Sequence, residues 1–70
     1  MTSLTPRQRE IYLFIDQYHE DHGFSPTQEE IAEGTSISRA TLREHLFWLE
    51  RKGYISQKEN TPRSITIISL

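Results

Sequence analysis

Hydrophobic residues change their spacing at Gly53, and this change restricts the folds that are open to the chain. Before Gly53, apolar side chains recur at the intervals of one helical face, as at positions 11, 14, 15 and 18. After Gly53 the interval becomes two, and the β-branched run of residues 65–68 is typical of a strand. The sequence therefore predicts an α+β fold that is mostly α, with helices first and a two-stranded β-hairpin last.

Capping signals set the predicted element boundaries. Thr5 with Gln8, and Thr27 with Glu30, form two capping boxes of the type that opens a helix. We expect the second helix to stop at Gly34 and the third to begin at Ser36 or Ser38. One domain, residues 1–70, is predicted, with helices over about 6–22, 28–34 and 38–52 and strands over about 54–58 and 64–68.

Several functions receive no support from the 70 residues. The chain has no cysteine, so neither disulfides nor thiolate metal sites can form. It has neither a signal peptide nor an apolar run near the ~20 residues of a membrane span, so we expect a cytoplasmic protein with no membrane partner. No nucleophile elbow or phosphate loop is present. A zinc site needs four ligands, or three plus water, and His19 and His22 are better explained as surface residues that compensate the dipole at a helix C-terminus. We expect no enzyme activity, metal, cofactor or small-molecule substrate.

Charge is distributed unevenly along the chain, whose formal net charge is −2. Residues 1–38 hold two arginines against seven acidic residues, a net charge of −5, whereas residues 39–70 hold six basic against three acidic residues, a net charge of +3. A polyanion would therefore contact the C-terminal half.

The segment 31–42 is typical of a helix-turn-helix, in which the second helix enters the DNA major groove. Ala32 allows close helix packing, Ile37 fills the gap between the helices, and Leu42 anchors the second helix. Taking Leu42 as the centre of the buried face, we expect an outward face that contacts phosphates and base edges. The predicted DNA-binding residues, including the second-helix start and a basic hairpin tip, are Thr27, Gln28, Ser38, Arg39, Ala40, Thr41, Arg43, Glu44, Lys58 and Arg63.

Three segments together resemble the N-terminal DNA-binding domain of LexA-type repressors. They are Leu4-Thr5-Pro6-Arg7-Gln8, Pro26-Thr27-x-x-Glu30-Ile31-Ala32 and Glu44-His45-Leu46-x-x-Leu49-x-Arg51-Lys52-Gly53-Tyr54-Ile55. The resemblance, which spans Leu4 to about Ile68, implies a winged helix-turn-helix that binds a pseudo-palindromic operator in double-stranded DNA as a homodimer and represses transcription in bacteria, phages or plasmids. It also implies base-reading positions at Ser38, Ala40, Thr41, Arg43 and Glu44, a wing position for Arg63, and a place in the SOS response.

The chain departs from that pattern in the turn before the third helix. The turn is one residue shorter, and Thr35-Ser36 stand where many relatives have Leu-Gly. Residues 38–44 are closer to the wider winged-helix repressor superfamily, so the operator sequence does not transfer. The 70 residues contain no self-cleaving protease module, through which LexA repressors mainly dimerise. We therefore expect either another dimer contact or weak monomeric binding.

Two aromatic residues, Phe47 and Trp48, lie outside the leucine stripe of the third helix and are candidates for a dimer or partner interface. We expect Phe47 to be exposed and Trp48 to pack under the hairpin. One alternative function is a winged-helix module that binds a protein instead of DNA, through this pair and the acidic N-terminal half. A separate possibility is that the chain is a fragment of a longer regulator.

Overall fold

Three helices precede a short antiparallel hairpin in the computed structural model, which describes residues 4–68. The helices are α1 (Pro6–His22), α2 (Gln28–Thr35) and α3 (Arg39–Arg51), and the strands are β1 (Ile55–Ser56) and β2 (Thr66–Ile67). In the hairpin, Ile55 pairs with Ile67 and Ser56 with Thr66. The predicted fold class, a mostly α winged helix-turn-helix, is confirmed.

Side chains cap all three helix N-termini, so local sequence determines where each helix begins. The Thr5 hydroxyl accepts from the Gln8 amide, and the Gln8 side chain accepts from the Thr5 amide. Thr27 and Glu30 make the same reciprocal pair at α2. Ser38 caps α3 by accepting from the Thr41 amide, which resolves its start in favour of Ser38 over Ser36.

The expectation that Gly34 ends α2 is wrong, because the helix continues through Thr35 and closes on Ser36. Ser36 adopts a left-handed conformation with φ 58°, and its amide donates to the Glu33 carbonyl. The turn that joins α2 to α3 is therefore Ser36–Ser38 and contains no glycine. Gly34 serves packing instead, since a Cβ at this position would overlap the ring of Phe14 on α1.

The strands are shorter than the predicted ranges 54–58 and 64–68. Near the hairpin tip, hydrogen bonds from a side chain replace backbone pairing between the strands. The Ser64 hydroxyl accepts from the Lys58 amide at 3.0 Å and donates to the Lys58 carbonyl at 3.2 Å. Backbone pairing continues at the base, where the Ile68 amide donates to the Tyr54 carbonyl.

One hydrophobic core joins the helices to the hairpin. Each helix and the base of the hairpin contribute to it, and the buried hydrophobic residues are Ile11, Ile15, Ile31, Ile37, Leu42, Leu46, Leu49, Tyr54, Ile55 and Ile65. Ile37, in the turn between α2 and α3, is buried and belongs to this core. The core therefore fixes the orientation of α3 against α1 and α2, and it leaves the opposite face of α3 in solvent.

Trp48 does not pack under the hairpin, contrary to prediction. Its side chain remains 43% exposed and contacts Phe47 edge-on with ring centroids 5.3 Å apart. Tyr54 is buried at the hairpin base instead and packs edge-on against Tyr12, with 5.8 Å between ring centroids. Trp48 is excluded from the core because it lies roughly 120° around α3 from the stripe formed by Leu42, Leu46 and Leu49. Phe47 is 53% exposed, as expected.

Candidate nucleic-acid interface

An open cleft of about 650 Å³ is lined by α3, by the hairpin loop and by the start of α2. Small-molecule pockets of this size are mostly apolar, whereas polar and charged side chains predominate here. Six of the predicted DNA-binding residues line it, namely Thr27, Gln28, Arg39, Arg43, Lys58 and Arg63. Residues far apart in sequence thus converge on one surface.

The other four predicted contacts lie on the exposed side of the first turns of α3. Ala40, Thr41 and Glu44 are exposed, as is the capping residue Ser38. Leu42, between them in sequence, is fully buried and holds this face outward. Short side chains at Ser38 and Ala40 leave the N-terminal end of α3 accessible to a large partner, as major-groove docking requires.

Hydrogen bonds at the start of α3 order the hydroxyl groups of Ser38 and Thr41. Ser38 Oγ accepts from the Thr41 amide at 3.2 Å and donates to Thr41 Oγ1 at 3.0 Å. Because the Ser38 proton is used within the helix, the Thr41 hydroxyl is the better placed of the two to donate to a phosphate or a base.

The hairpin loop, residues 57–65, carries Lys58 on the cleft side and forms the wing of the fold. The Ser64 hydroxyl bonds both backbone polar groups of Lys58, as described above, and Asn60 takes a left-handed conformation with φ 55°. Local hydrogen bonds therefore hold the backbone that carries Lys58 in one conformation opposite Arg43.

Arg63, the second basic residue of the wing, is bound within the protein. Its guanidinium donates to Glu30 in a bidentate pair, with Nη1–Oε1 at 2.9 Å and Nη2–Oε2 at 3.0 Å. Nη1 also donates to the Ser25 carbonyl at 3.1 Å and to the Tyr18 hydroxyl at 3.4 Å. The guanidinium carbon lies 4.8 Å from the centre of the Phe24 ring. Arg63 thus links the wing to the segment between α1 and α2.

Glu30 is the acidic partner in this network, and its pKa is lowered to about 2. The hydrogen bonds from Arg63 are the largest cause, and the Thr27 amide, which donates to the same carboxylate, adds to the effect. Glu30 is therefore ionised throughout the physiological pH range and holds Arg63 by charge as well as by geometry.

Sequence reasoning identified the basic residues of the cleft but missed the residues that surround them. Gln57 and Asn60 also line the cleft and carry polar side chains suited to phosphate contact. In sequence, Glu30 indicated only a helix cap and Tyr18 only the apolar face of α1, while Ser25 and Phe24 carried no signal. Their role depends on contacts across 33 to 45 residues of sequence, which no local pattern reveals.

Comparison with known proteins identifies the family. The family model described as "LexA DNA binding domain" matches residues 1–64. The chain belongs to this family. LexA repressors are also similar to it, at 45% identity in Koribacter versatilis, 42% in Thermotoga maritima and 43% in Staphylococcus aureus strain USA300. These matches cover 96–99% of the chain but only 33–34% of each relative, so the chain spans about a third of their length.

Membership of the LexA DNA-binding domain family agrees with the cleft and favours DNA binding over the protein-interaction alternative. Within residues 4–68, no three histidine or acidic side chains come together in a way that could hold a metal ion. Over the same residues, no helix has the length and apolar character needed to cross a membrane.

Proposed function

We propose that this LexA-type domain binds double-stranded DNA sequence-specifically and represses transcription. The first turns of α3 enter the major groove, and the wing contacts the adjoining backbone. The observation that carries the proposal is the convergence of Arg39, Arg43 and Lys58 around one cleft beside the exposed N-terminal end of α3. This arrangement suits a duplex, since base edges are read in the groove while phosphates on either side are neutralised.

Each exposed side chain of α3 has a proposed role. Arg39 and Arg43 bind guanine O6 and N7 or clamp phosphates, and Ala40 permits close approach to a thymine methyl group. Thr41 donates to a phosphate or a base, and Glu44 accepts from cytosine N4. Ser38 maintains the helix start. Thr27 and Gln28, at the N-terminus of α2, reach phosphates on the near side of the cleft.

Selection of bound sequences from random duplexes, followed by charge reversal, tests this function. Arg39→Glu and Arg43→Glu should together lower the affinity for the selected duplex by about a hundredfold or more. Arg7→Glu together with Arg9→Glu is the matched control, since it makes the same charge change at two exposed residues of α1 outside the cleft. Equal affinity of the Arg39/Arg43 variant and this control would contradict the proposal.

We further propose that two copies occupy a pseudo-palindromic operator and contact each other through Phe47 and Trp48. This aromatic pair is exposed on α3, and Phe47 lies at the edge of the cleft, beside Gln28 and Arg43. Exposed aromatic residues are enriched at protein interfaces. Trp48→Ala should abolish cooperative binding to a duplex with two half-sites while leaving binding to a single half-site unchanged. Unchanged cooperativity would contradict the contact.

A further inference from the structure

The contacts of Arg63 assign it a different role from the other basic residues of the cleft. We infer that Arg63 and Glu30 are positioning residues that hold the wing at its distance from α2, so that Lys58 can reach the DNA backbone. The inference rests on the proposed function. It separates Arg63, which acts through the protein, from Arg39, Arg43 and Lys58, which act on DNA directly.

Both Nη atoms of Arg63 donate to acceptors within the protein. Both Nη atoms are engaged by the Glu30 carboxylate, Nη1 also reaches the Ser25 carbonyl, and one face of the guanidinium covers the Phe24 ring. A phosphate on the edge formed by the two Nη atoms would have to displace a bidentate carboxylate whose geometry matches the guanidinium plane. The observed arrangement therefore favours an internal tie over a DNA contact.

A second, independent tie lies beside the first. The Ser25 hydroxyl is buried and donates to the Ile65 carbonyl at 2.7 Å. Residues 63 and 65 of the wing are thus both bonded to the short segment that precedes α2. Arg63 also adopts a left-handed backbone conformation with φ 55°, which a non-glycine residue keeps only when its surroundings hold it there.

Glu30 connects this tie to the DNA-facing end of α2. Its Oε1 accepts from the Thr27 amide at 2.8 Å and from Arg63 Nη1 at 2.9 Å. One carboxylate therefore fixes the first turn of α2, which supplies Thr27 and Gln28 to the cleft, and the wing, which supplies Lys58. Removing the charge of Glu30 would loosen the wing at Arg63 without removing any basic residue, while the Ser25–Ile65 hydrogen bond would remain.

Glu30→Gln should change the affinity for DNA in opposite directions, depending on whether Glu30 acts by positioning the wing or only through its charge. Glutamine also completes a capping box, so α2 should keep its N-terminus. Loss of a negative charge near DNA should raise affinity if charge alone matters, and it should free Arg63 to bind a phosphate. If Glu30 positions the wing, affinity should instead fall, by about threefold to fivefold for loss of a partly exposed ion-pair network.

The experiment measures the affinity of the 70-residue chain for its selected duplex and, by backbone relaxation, the mobility of residues 57–64. Glu30→Gln is compared with Glu33→Gln, which removes the same charge from an exposed side chain of α2 that does not line the cleft. Arg63→Lys is the second variant, since it keeps the positive charge but loses the bidentate pair. Thermal unfolding verifies that each variant is folded at the assay temperature.

We expect Glu30→Gln and Arg63→Lys to raise wing mobility and to lower affinity, while Glu33→Gln does neither. Unchanged or higher affinity in Glu30→Gln, or an immobile wing, would overturn the inference and leave the proposed function intact. If the unaltered chain selects no duplex at all, the proposed function itself fails, and the positioning role fails with it.

Discussion

At the scale of single residues, Glu30 does more than its place in the sequence indicates. Its carboxylate caps α2 and also binds Arg63 from the wing. Both side chains are partly exposed, 36% for Glu30 and 40% for Arg63, so solvent screens their charges. Geometry therefore matters more than Coulomb attraction in this pair, because two parallel hydrogen bonds and a ring contact restrict the guanidinium to one orientation.

The depressed pKa of Glu30 gives the first prediction. In the unaltered chain, a carbon-detected NMR titration should place the pKa of this carboxyl at about 2, below its ordinary value of 4.5. Arg63→Ala should move the pKa upward, although the Thr27 amide should keep it from reaching the ordinary value. A pKa that does not change in Arg63→Ala would contradict the pairing.

The lowered pKa of Glu30 also makes the stability of the fold depend on pH. Since the folded-state pKa lies below the unfolded one, the ionised carboxylate stabilises the fold above pH of about 4.5, and this contribution disappears as pH falls towards about 2. Arg63→Ala should therefore unfold at a lower temperature than the unaltered chain at pH 6, and the difference should narrow at pH 2. A difference that is the same at both pH values would contradict this linkage.

At the scale of the elements, sequence reasoning succeeded where the determining interactions are local. The capping residues of all three helices lie within three positions of their partners, so the starts of the helices could be predicted. It failed at the hairpin base, where distant packing decides, because the ring buried there is Tyr54, packed against Tyr12 of α1, and not Trp48.

The candidate site also contains one part that the sequence predicts and one part that it does not. The outward face of α3 could be predicted from helical geometry and the leucine stripe, because both follow from residues a few positions apart. The internal engagement of Arg63 could not, since its partners at positions 18, 25 and 30 come from other elements. A basic residue in a loop looks the same in sequence whether it binds a phosphate or a carboxylate.

The contact between Gly34 and Phe14 gives the prediction for packing between elements. At an exposed helical position, Gly→Ala normally stabilises by about 1 kcal/mol. At Gly34 the added methyl would displace the Phe14 ring, and overpacking costs about 1–3 kcal/mol. Gly34→Ala should therefore lower the free energy of unfolding in urea by about 1 kcal/mol. The same substitution in a Phe14→Ala background should be stabilising. A gain in stability in the unaltered background would contradict the packing role.

At the scale of the whole molecule, the distribution of charge matters more than its sum. The chain has a net charge of −2, yet Arg39, Arg43 and Lys58 face one cleft, whose acidic lining residues are Glu29 and Glu59, while most other acidic residues lie in the N-terminal half outside the cleft. The core orients α3 so that this basic surface faces outward. A polyanion would therefore approach one side of the domain and be repelled from the other, which orients the encounter.

This arrangement predicts the salt dependence of DNA binding. With at least three phosphate-contacting cations, a plot of log affinity against log salt concentration should have a slope of about −3 or steeper. Lys58→Ala should make the slope shallower by about 1. Arg9→Ala, on α1 outside the cleft, should leave the slope unchanged. Equal changes in slope for both variants would contradict the placement of the interface.

An amide NMR titration of the chain with duplexes of many sequences at low ionic strength tests the central claim most directly. The α3 face and the wing should respond together, with shifts in the amide signals of residues 38–44 and 57–61 and little change on the exposed side of α1. If the signals of Arg39–Glu44 did not move with any duplex, α3 would not be the DNA-reading element of this domain.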